Sequence, residues 1–263
     1  MGNPVQDSIL LTDNITMQFG GLRAVSDLNL SIQPKQIVGL IGPNGAGKTT
    51  AFNMITGVYK PTSGQVHFNG SDITGLKPNQ ITDRGIARTF QNIRLFSSMT
   101  VLENVMLSKH VRLKANPIEA ILGLPRYTRA RKRQFQECMD LLEQVQLADL
   151  AQEKATALSY GKQRRLEIAR ALATQPAMIL LDEPAAGMNP QESLELMEFI
   201  AKIRDQFGLT VLMIEHHMEV VMGICEQIVV LDHGETIARG TPVEIQNNQQ
   251  VIEAYLGAVE EIA

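Results

Sequence analysis

Gly42-Pro43-Asn44-Gly45-Ala46-Gly47-Lys48-Thr49 follows the apolar run Gln36 to Ile41 and leads into the helix-forming run Thr49 to Thr56. The octet matches G-x-x-x-x-G-K-[ST], and a strand before it with a helix after it is the setting that motif needs. Glycines 42, 45 and 47 let the backbone curl until successive N–H groups point inward, and the positive end of the following helix adds to them. The natural occupant is a polyanion. Lys48 brings a mobile point charge suited to β- and γ-phosphates, and the Thr49 hydroxyl is suited to ligate Mg2+. The loop therefore predicts an α/β fold in which a buried strand delivers its carboxyl end to a phosphate site.

Further apolar runs rich in β-branched residues recur between helical stretches, the mark of an α/β sheet. Gln36 to Ile41, Ala177 to Leu181, Thr210 to Ile214 and Gln227 to Leu231 are expected as central, mostly parallel strands, because none alternates and each must be covered on both faces. Ile9 to Phe19, Ala24 to Ile32 and Gln65 to Phe68 alternate more, with Gly20-Gly21 and Asn69-Gly70 as turn signals, and predict an antiparallel β subdomain. Between Asn92 and Ala157 the pattern turns helical. It begins at Thr100-Val101-Leu102-Glu103, a capping box that leads into Leu102, Val105 and Met106. A second box opens at Asn189-Pro190-Gln191-Glu192 and predicts a helix to about Gln206. The expected organisation is one domain. Residues 1–91 and 158–240 form the α/β core with its antiparallel part, 92–157 an inserted helical subdomain, and 241–263 a helical tail with Val251, Ile252 and Tyr255 available to pack.

Met178-Ile179-Leu180-Leu181-Asp182-Glu183 is an apolar strand that ends in two acids. Asp182 is placed to hold Mg2+ through water, and Glu183 to orient or deprotonate an attacking water. Taken alone, acids where a strand emerges into solvent would need no task. Beside the loop at Gly42 to Thr49, they complete the two motifs of a P-loop NTPase.

Composition excludes several classes. The chain has 263 residues, 44% hydrophobic and 20% charged, and no run approaches the roughly 20 apolar residues of a membrane span. Met1 to Ser8 lacks the basic and apolar regions of a secretory signal, so the cytosol is expected. Cys138 and Cys225 form no Cys-x-x-Cys pair, which argues against a disulfide framework or a zinc site. A net charge of −4 argues against nucleic acid as a partner. The local exception is Arg126 to Arg133, five basic residues in eight. It reads as a solvated helix face beside Glu137, Asp140 and Glu143, with lipid headgroups or a partner as the alternative.

Leu158-Ser159-Tyr160-Gly161-Lys162-Gln163-Arg164-Arg165 narrows the class. It resembles the LSGGQ signature of ABC ATPases, with Tyr160 in place of a glycine and Lys162 in place of a glutamine. By itself Ser159 would read as a plain helix N-cap. The resemblance implies instead that Ser159 and Gly161 face the γ-phosphate of ATP bound to an opposing subunit. It also implies that Gln91 senses Mg2+ and water and touches a transmembrane partner, that Ala185 to Asn189 is the D-loop, and that His216, not His217, is the switch histidine. Phe19 falls where an aromatic stacks on adenine and Val25 where that wall is completed. Pro43, Asn44, Ala46 and Thr50 fall within the nucleotide cradle. Read without the family, an aromatic in a strand is more often core.

Phe19 to Leu22, Arg88 to Phe96, Ala185 to Pro190 and Tyr255-Leu256-Gly257 look like the branched-chain amino acid uptake group, and the extended region Ser108 to Phe135 looks like its longer ATPase subunit. ATPases of urea and short-amide importers have similar motifs. The implied cofactors are ATP and Mg2+. The implied partners are a second ATPase subunit, copy or paralogue, together with membrane permeases and, indirectly, a substrate-binding protein. The implied place is the cytoplasmic face of the membrane. A soluble ABC ATPase acting on ribosomes or repair complexes would carry two cassettes or a long coiled coil, and neither is visible. A module that binds ATP without turnover is opposed by Glu183 and His216.

Overall fold

The computed structural model describes residues 8–110 and 125–260. The Met1 to Gln6 and Asp7 part of the N-terminal reading and the middle of the extended region lie outside them, as do the side chains of Arg126, Tyr127, Thr128, Leu256 and Gly257. The chain forms two compact units, one running up to Arg88 and resuming at Ala177, the other Thr89–Pro176.

In the first unit, β1 (Leu10–Phe19), β2 (Leu22–Ile32), β4 (Ser63–Phe68) and β5 (Ser71–Asp72) form an antiparallel sheet in the order β2-β1-β4-β5. The Gly20-Gly21 turn joins β1 to β2, and the register Leu10↔Ile32 to Phe19↔Leu22 is broken by irregularities where Asn14 and Asp27 take positive φ. One face of this sheet buries Leu10, Ile15, Leu28, Leu30, Val66 and Phe68. The same core contains β3 (Ile37–Ile41), which is buried throughout, and α1 (Lys48–Ile55). Next come α2 (Pro78–Asp83) and the short strand β6 (Ile86–Arg88).

The second unit contains α3 (Val101–His110), α4 (Pro125–Gln144) and α5 (Tyr160–Leu172). The capping box expected at Thr100 is present: Glu103 N–H donates to Thr100 Oγ1 at 3.1 Å, and Thr100 N–H donates to Glu103 Oε2 at 2.8 Å. Val101, Val105, Leu142, Val145, Leu166 and Ile168 are buried. On α4, Arg129, Arg131, Lys132 and Arg133 are exposed, and Arg133 pairs with Glu137 at 2.7 Å one helical turn away. That is the geometry of a solvated, internally paired face. The unit thus extends past the helical pattern read between Asn92 and Ala157 and takes in the helix that follows Ser159.

The chain returns to the first unit with β7 (Met178–Asp182), α6 (Pro190–Phe207), β8 (Thr210–Ile214), α7 (Met218–Ile224), β9 (Gln227–Asp232), β10 (Glu235–Gly240), α8 (Pro242–Gln246) and α9 (Gln249–Glu260). The second sheet has the order β10-β9-β3-β8-β7-β6. All its pairings are parallel except the β9–β10 hairpin. The four runs expected as buried strands are its four central members, and every residue of β3, β7 and β8 is buried, as continuous apolar strands require. Asn189 caps α6 with Glu192 reaching back, and the helix stops at Gly208 in the left-handed conformation. Cys138 and Cys225 are free and buried, and burial pushes their thiols up to about 11 and about 12. In the tail Val251 is buried, Tyr255 is half-buried and Ile252 stays 40% exposed.

Because β3, β8 and β7 are adjacent and parallel, their carboxyl ends emerge side by side, with Asp182 in register with Ile214. Those ends carry the loop at Gly42 to Thr49, the pair Asp182-Glu183, and Glu215-His216. Open parallel sheets place ligands beyond such strand ends.

Candidate functional site

The loop between β3 and α1 is shaped by two glycines that admit no side chain. At Gly42, φ is 149° and a Cβ would lie 2.0 Å from the Leu231 carbonyl oxygen. At Gly47, φ is 96° and a Cβ would lie 2.5 Å from the carbonyl oxygen of Ala24. Only glycine allows so close an approach of two backbones. Lys48 is buried, and its ammonium donates to the carbonyls of Gly42 and Pro43, both at 2.7 Å. Desolvation lowers its pKa below the ordinary value, and the charges of Glu183 and Asp182 push back. The outward side is polar and open, with Asn44, Gly45 and Thr49 exposed.

Glu183 takes φ 46°, rare for a residue with a side chain, and its N–H donates to the Ile214 carbonyl at 3.0 Å. This turn sends its carboxylate to His216, whose Nε2 stands 2.6 Å from Glu183 Oε1. The neighbouring His217 instead has its Nδ1 3.4 Å from Glu215 Oε2, with a side chain 58% exposed. The structure therefore brings His216, and not His217, onto the carboxylate at the end of β7.

Glu215, which motif reading passes over, supports this arrangement. Its carboxylate is 1% exposed and accepts the N–H of Ala185 at 2.8 Å and of His216 at 3.2 Å. It thereby fixes the start of the Ala185 to Asn189 loop and the backbone that presents His216. The available signal was an acid directly after an apolar strand, the same signal that marks Asp182.

Phe19 is 43% exposed at the end of β1 and meets Tyr59 edge-on, with ring centroids 5.4 Å apart. Val25 is fully buried, and a Cβ on Gly47 would come within 3.0 Å of it, so its side chain supports the loop from beneath. Thr50 is half-buried on the first turn of α1.

Two of the oxygens expected to hold Mg2+ fit a hard cation: Thr49 is exposed, and among the described residues Asp182 is committed through Oδ2, to Arg88. Among the described residues no three His, Cys, Asp or Glu side chains cluster as metal ligands.

The remaining candidates lie in the second unit. Ser159 stands at the N-cap of α5 with φ −60° and ψ 158°, but its exposed side chain makes no capping bond. Gly161 lies half-buried in the first turn of α5. Gln91 is exposed, and its carbonyl accepts from Arg164 Nη2 at 2.8 Å. Arg164 is fully buried on α5 and also donates to the Phe90 carbonyl at 2.8 Å and to Glu167 at 2.7 Å. One guanidinium thus ties the Gln91 segment to the helix that begins after Ser159.

A family model described as "ABC transporter" matches residues 25–186, and one described as "Branched-chain amino acid ATP-binding cassette transporter" matches residues 235–261. The chain is 47% identical, over 95% of its length and 98% of the relative's, to the high-affinity branched-chain amino acid transport ATP-binding protein BraF of Pseudomonas aeruginosa. It superposes with a TM-score of 0.82 at 32% identity on an ATP-binding cassette of an ABC transporter solved in its ADP conformation, covering 95% of this chain and 99% of that one. A second cassette, solved as a dimer in a post-hydrolysis state with ADP and phosphate, gives a TM-score of 0.72 at 27% identity, covering 89% and 98%.

Proposed function

Since this chain belongs to the ABC transporter family of ATP-binding subunits, and within it to the branched-chain amino acid group, we propose that it hydrolyses ATP to drive branched-chain amino acid import. The observation that carries the catalytic part is the Glu183–His216 contact of 2.6 Å at the strand ends next to the phosphate loop.

In this reading the loop N–H groups from Gly42 to Thr50 and the Lys48 ammonium hold the β- and γ-phosphates. Phe19 stacks on adenine, with Val25 behind the loop. Thr49 and Asp182 would hold Mg2+, which when bound would neutralise charge on the phosphate oxygens, and the family resemblance assigns Gln91 to the same ion. The Glu183 carboxylate accepts a proton from the attacking water, and His216 orients that carboxylate through Nε2. The positive φ of Glu183 is backbone strain retained where it aims a functional side chain.

Ser159 and Gly161 complete the site on an opposing subunit, as the exposed Ser159 side chain allows, so each chain supplies half of each of two sites. The solved dimeric relative with ADP and phosphate supports this arrangement. Closure around ATP and opening after hydrolysis then move a membrane permease that contacts the Gln91 segment, with a substrate-binding protein delivering the amino acid. The chain works at the cytoplasmic face of the membrane, and among the described residues no helix is long and apolar enough to cross it.

Glu183→Gln keeps the side-chain shape and removes the proton acceptor. It should leave ATP binding intact and slow phosphate release by at least about 10²-fold. Undiminished release would remove Glu183 from its role. The substrate class is tested by reconstituting the complex with its permeases and asking whether leucine, isoleucine or valine, delivered by a binding protein, stimulates hydrolysis more than urea or a short amide does.

A further inference from the structure

Arg88, at the end of β6, is a nearly buried charged side chain that polar groups of two other elements surround. Its side chain is only 9% exposed, and Nη2 donates to Asp182 Oδ2 at 2.8 Å, where the carboxylate is itself 7% exposed. Nη1 donates to Asn53 Oδ1 at 2.7 Å and to Thr56 Oγ1 at 3.1 Å. The guanidinium carbon lies over the Phe52 ring, 5.6 Å from its centroid. Phe52 and Asn53 belong to α1, and Thr56 is its C-cap residue. One planar cation therefore joins the carboxylate at the end of β7 to the helix that begins at Lys48 and Thr49.

Burying a guanidinium is costly unless its hydrogens are matched, and here the groups that match its two terminal nitrogens come from both elements of the site. The fork geometry matters. Arginine reaches a carboxylate with one nitrogen and two neutral oxygens with the other, whereas a lysine ammonium at the same place is a single point that serves one side or the other. The pairing also divides the Asp182 carboxylate: Oδ2 is taken by Arg88, which leaves Oδ1 for a second cation.

We infer that Arg88 is a positioning residue for the metal: it locks the Asp182 rotamer, reserves Oδ1 for a magnesium-bound water, and fixes that oxygen relative to α1 and hence to Thr49. This rests on the proposed role of Asp182 in holding Mg2+. Its physical content is preorganisation, since ligands from two elements keep their spacing before the ion arrives and the ordering is not charged to metal binding. Arg88 also balances one of the two carboxylates whose charges act on Lys48.

The experiment uses the full chain with ADP and measures Mn2+ binding from the loss of the free-ion electron paramagnetic resonance signal. Binding of a fluorescent ADP in EDTA, where no divalent ion is present, serves as the control. Arg88→Lys keeps the charge and the fold but not the fork. It should raise the Mn2+ half-saturation about tenfold, in the range found when partners of metal ligands are removed, with nucleotide binding in EDTA unchanged. Arg88→Met should raise it further if the variant folds, and Arg88→Lys keeps the test decisive if it does not. An unchanged Mn2+ half-saturation in folded Arg88→Lys overturns the inference. So does a parallel loss of ADP binding in EDTA, which would make Arg88 a scaffold for the loop alone. Asp182→Asn separates the two layers. If it weakens Mn2+ binding while Arg88→Lys does not, the positioning role fails and the role of Asp182 stands; if Asp182→Asn has no effect, the role of Asp182 falls and the inference with it.

Discussion

The Lys48 ammonium illustrates how a single residue sets the terms of the site. It stands on the first turn of α1, is held by two carbonyls of its own loop at 2.7 Å, and feels the carboxylates Glu183 and Asp182 through partly desolvated space. In the proposed nucleotide complex, phosphate oxygens would replace those carbonyls with full charges, and the interaction would be strong because the ammonium is already stripped of much of its water. Lys48→Ala removes the only side-chain cation of the loop, and ATP binding or turnover should be abolished when followed by fluorescent-nucleotide titration and phosphate release. A variant with normal affinity and normal rate would refute the assignment. Which residues could be read in advance follows from how local their signals are. Lys48, Thr49, Asp182 and Glu183 sit in runs whose spacing is dictated by a strand end and a helix start. Arg88 and Glu215 act through partners 94 and 30 residues away, Asp182 and Ala185, and no sequence period reports such contacts.

At the scale of elements, α5 carries an arginine where its packing face should be apolar. Arg164 is fully buried and is matched by Glu167, 5% exposed, at 2.7 Å and by the carbonyls of Phe90 and Gln91. Arg164→Met fills much of the same volume but leaves Glu167 without its counter-charge. The expected loss is about 3–5 kcal/mol, the cost of breaking a buried pair from one side. Urea unfolding of the variant should show a lower midpoint, and a midpoint equal to that of the parent chain would show that the pair contributes nothing. Helix starts at Thr100 and Asn189 were legible because capping boxes are written in four consecutive residues. The edge strands β6 and β10 were not. β6 has 3 residues, and β10 is exposed or half-exposed along its length, so neither leaves the apolar run that marked the strands between them. Their place is decided by pairing with β7 and β9.

At the scale of the molecule, the two sets of residues proposed to contact nucleotide lie in different compact units. The phosphate loop, Asp182, Glu183 and His216 lie in the first, and Ser159 and Gly161 in the second. If the second set serves an opposing subunit, the surface between subunits must form and separate in every cycle, so it is unlike the large apolar interface of an obligate dimer. The chain should therefore sediment as a monomer without nucleotide, and a tight nucleotide-independent dimer would contradict this. Adding Mg-ATP changes the balance only while the γ-phosphate bridges the two halves, because a ligand shifts an equilibrium by its differential affinity for the two states. Glu183→Gln leaves that bridge uncut and should let the closed form accumulate. Its partner then becomes measurable by size-exclusion chromatography with Mg-ATP. A mixture of this variant with a paralogous ATPase subunit should shift to a dimer, whereas the variant alone should associate weakly if the natural pair is mixed. A stable ATP-dependent homodimer formed by the variant alone would identify a second copy of the same chain as sufficient and would overturn the mixed pairing.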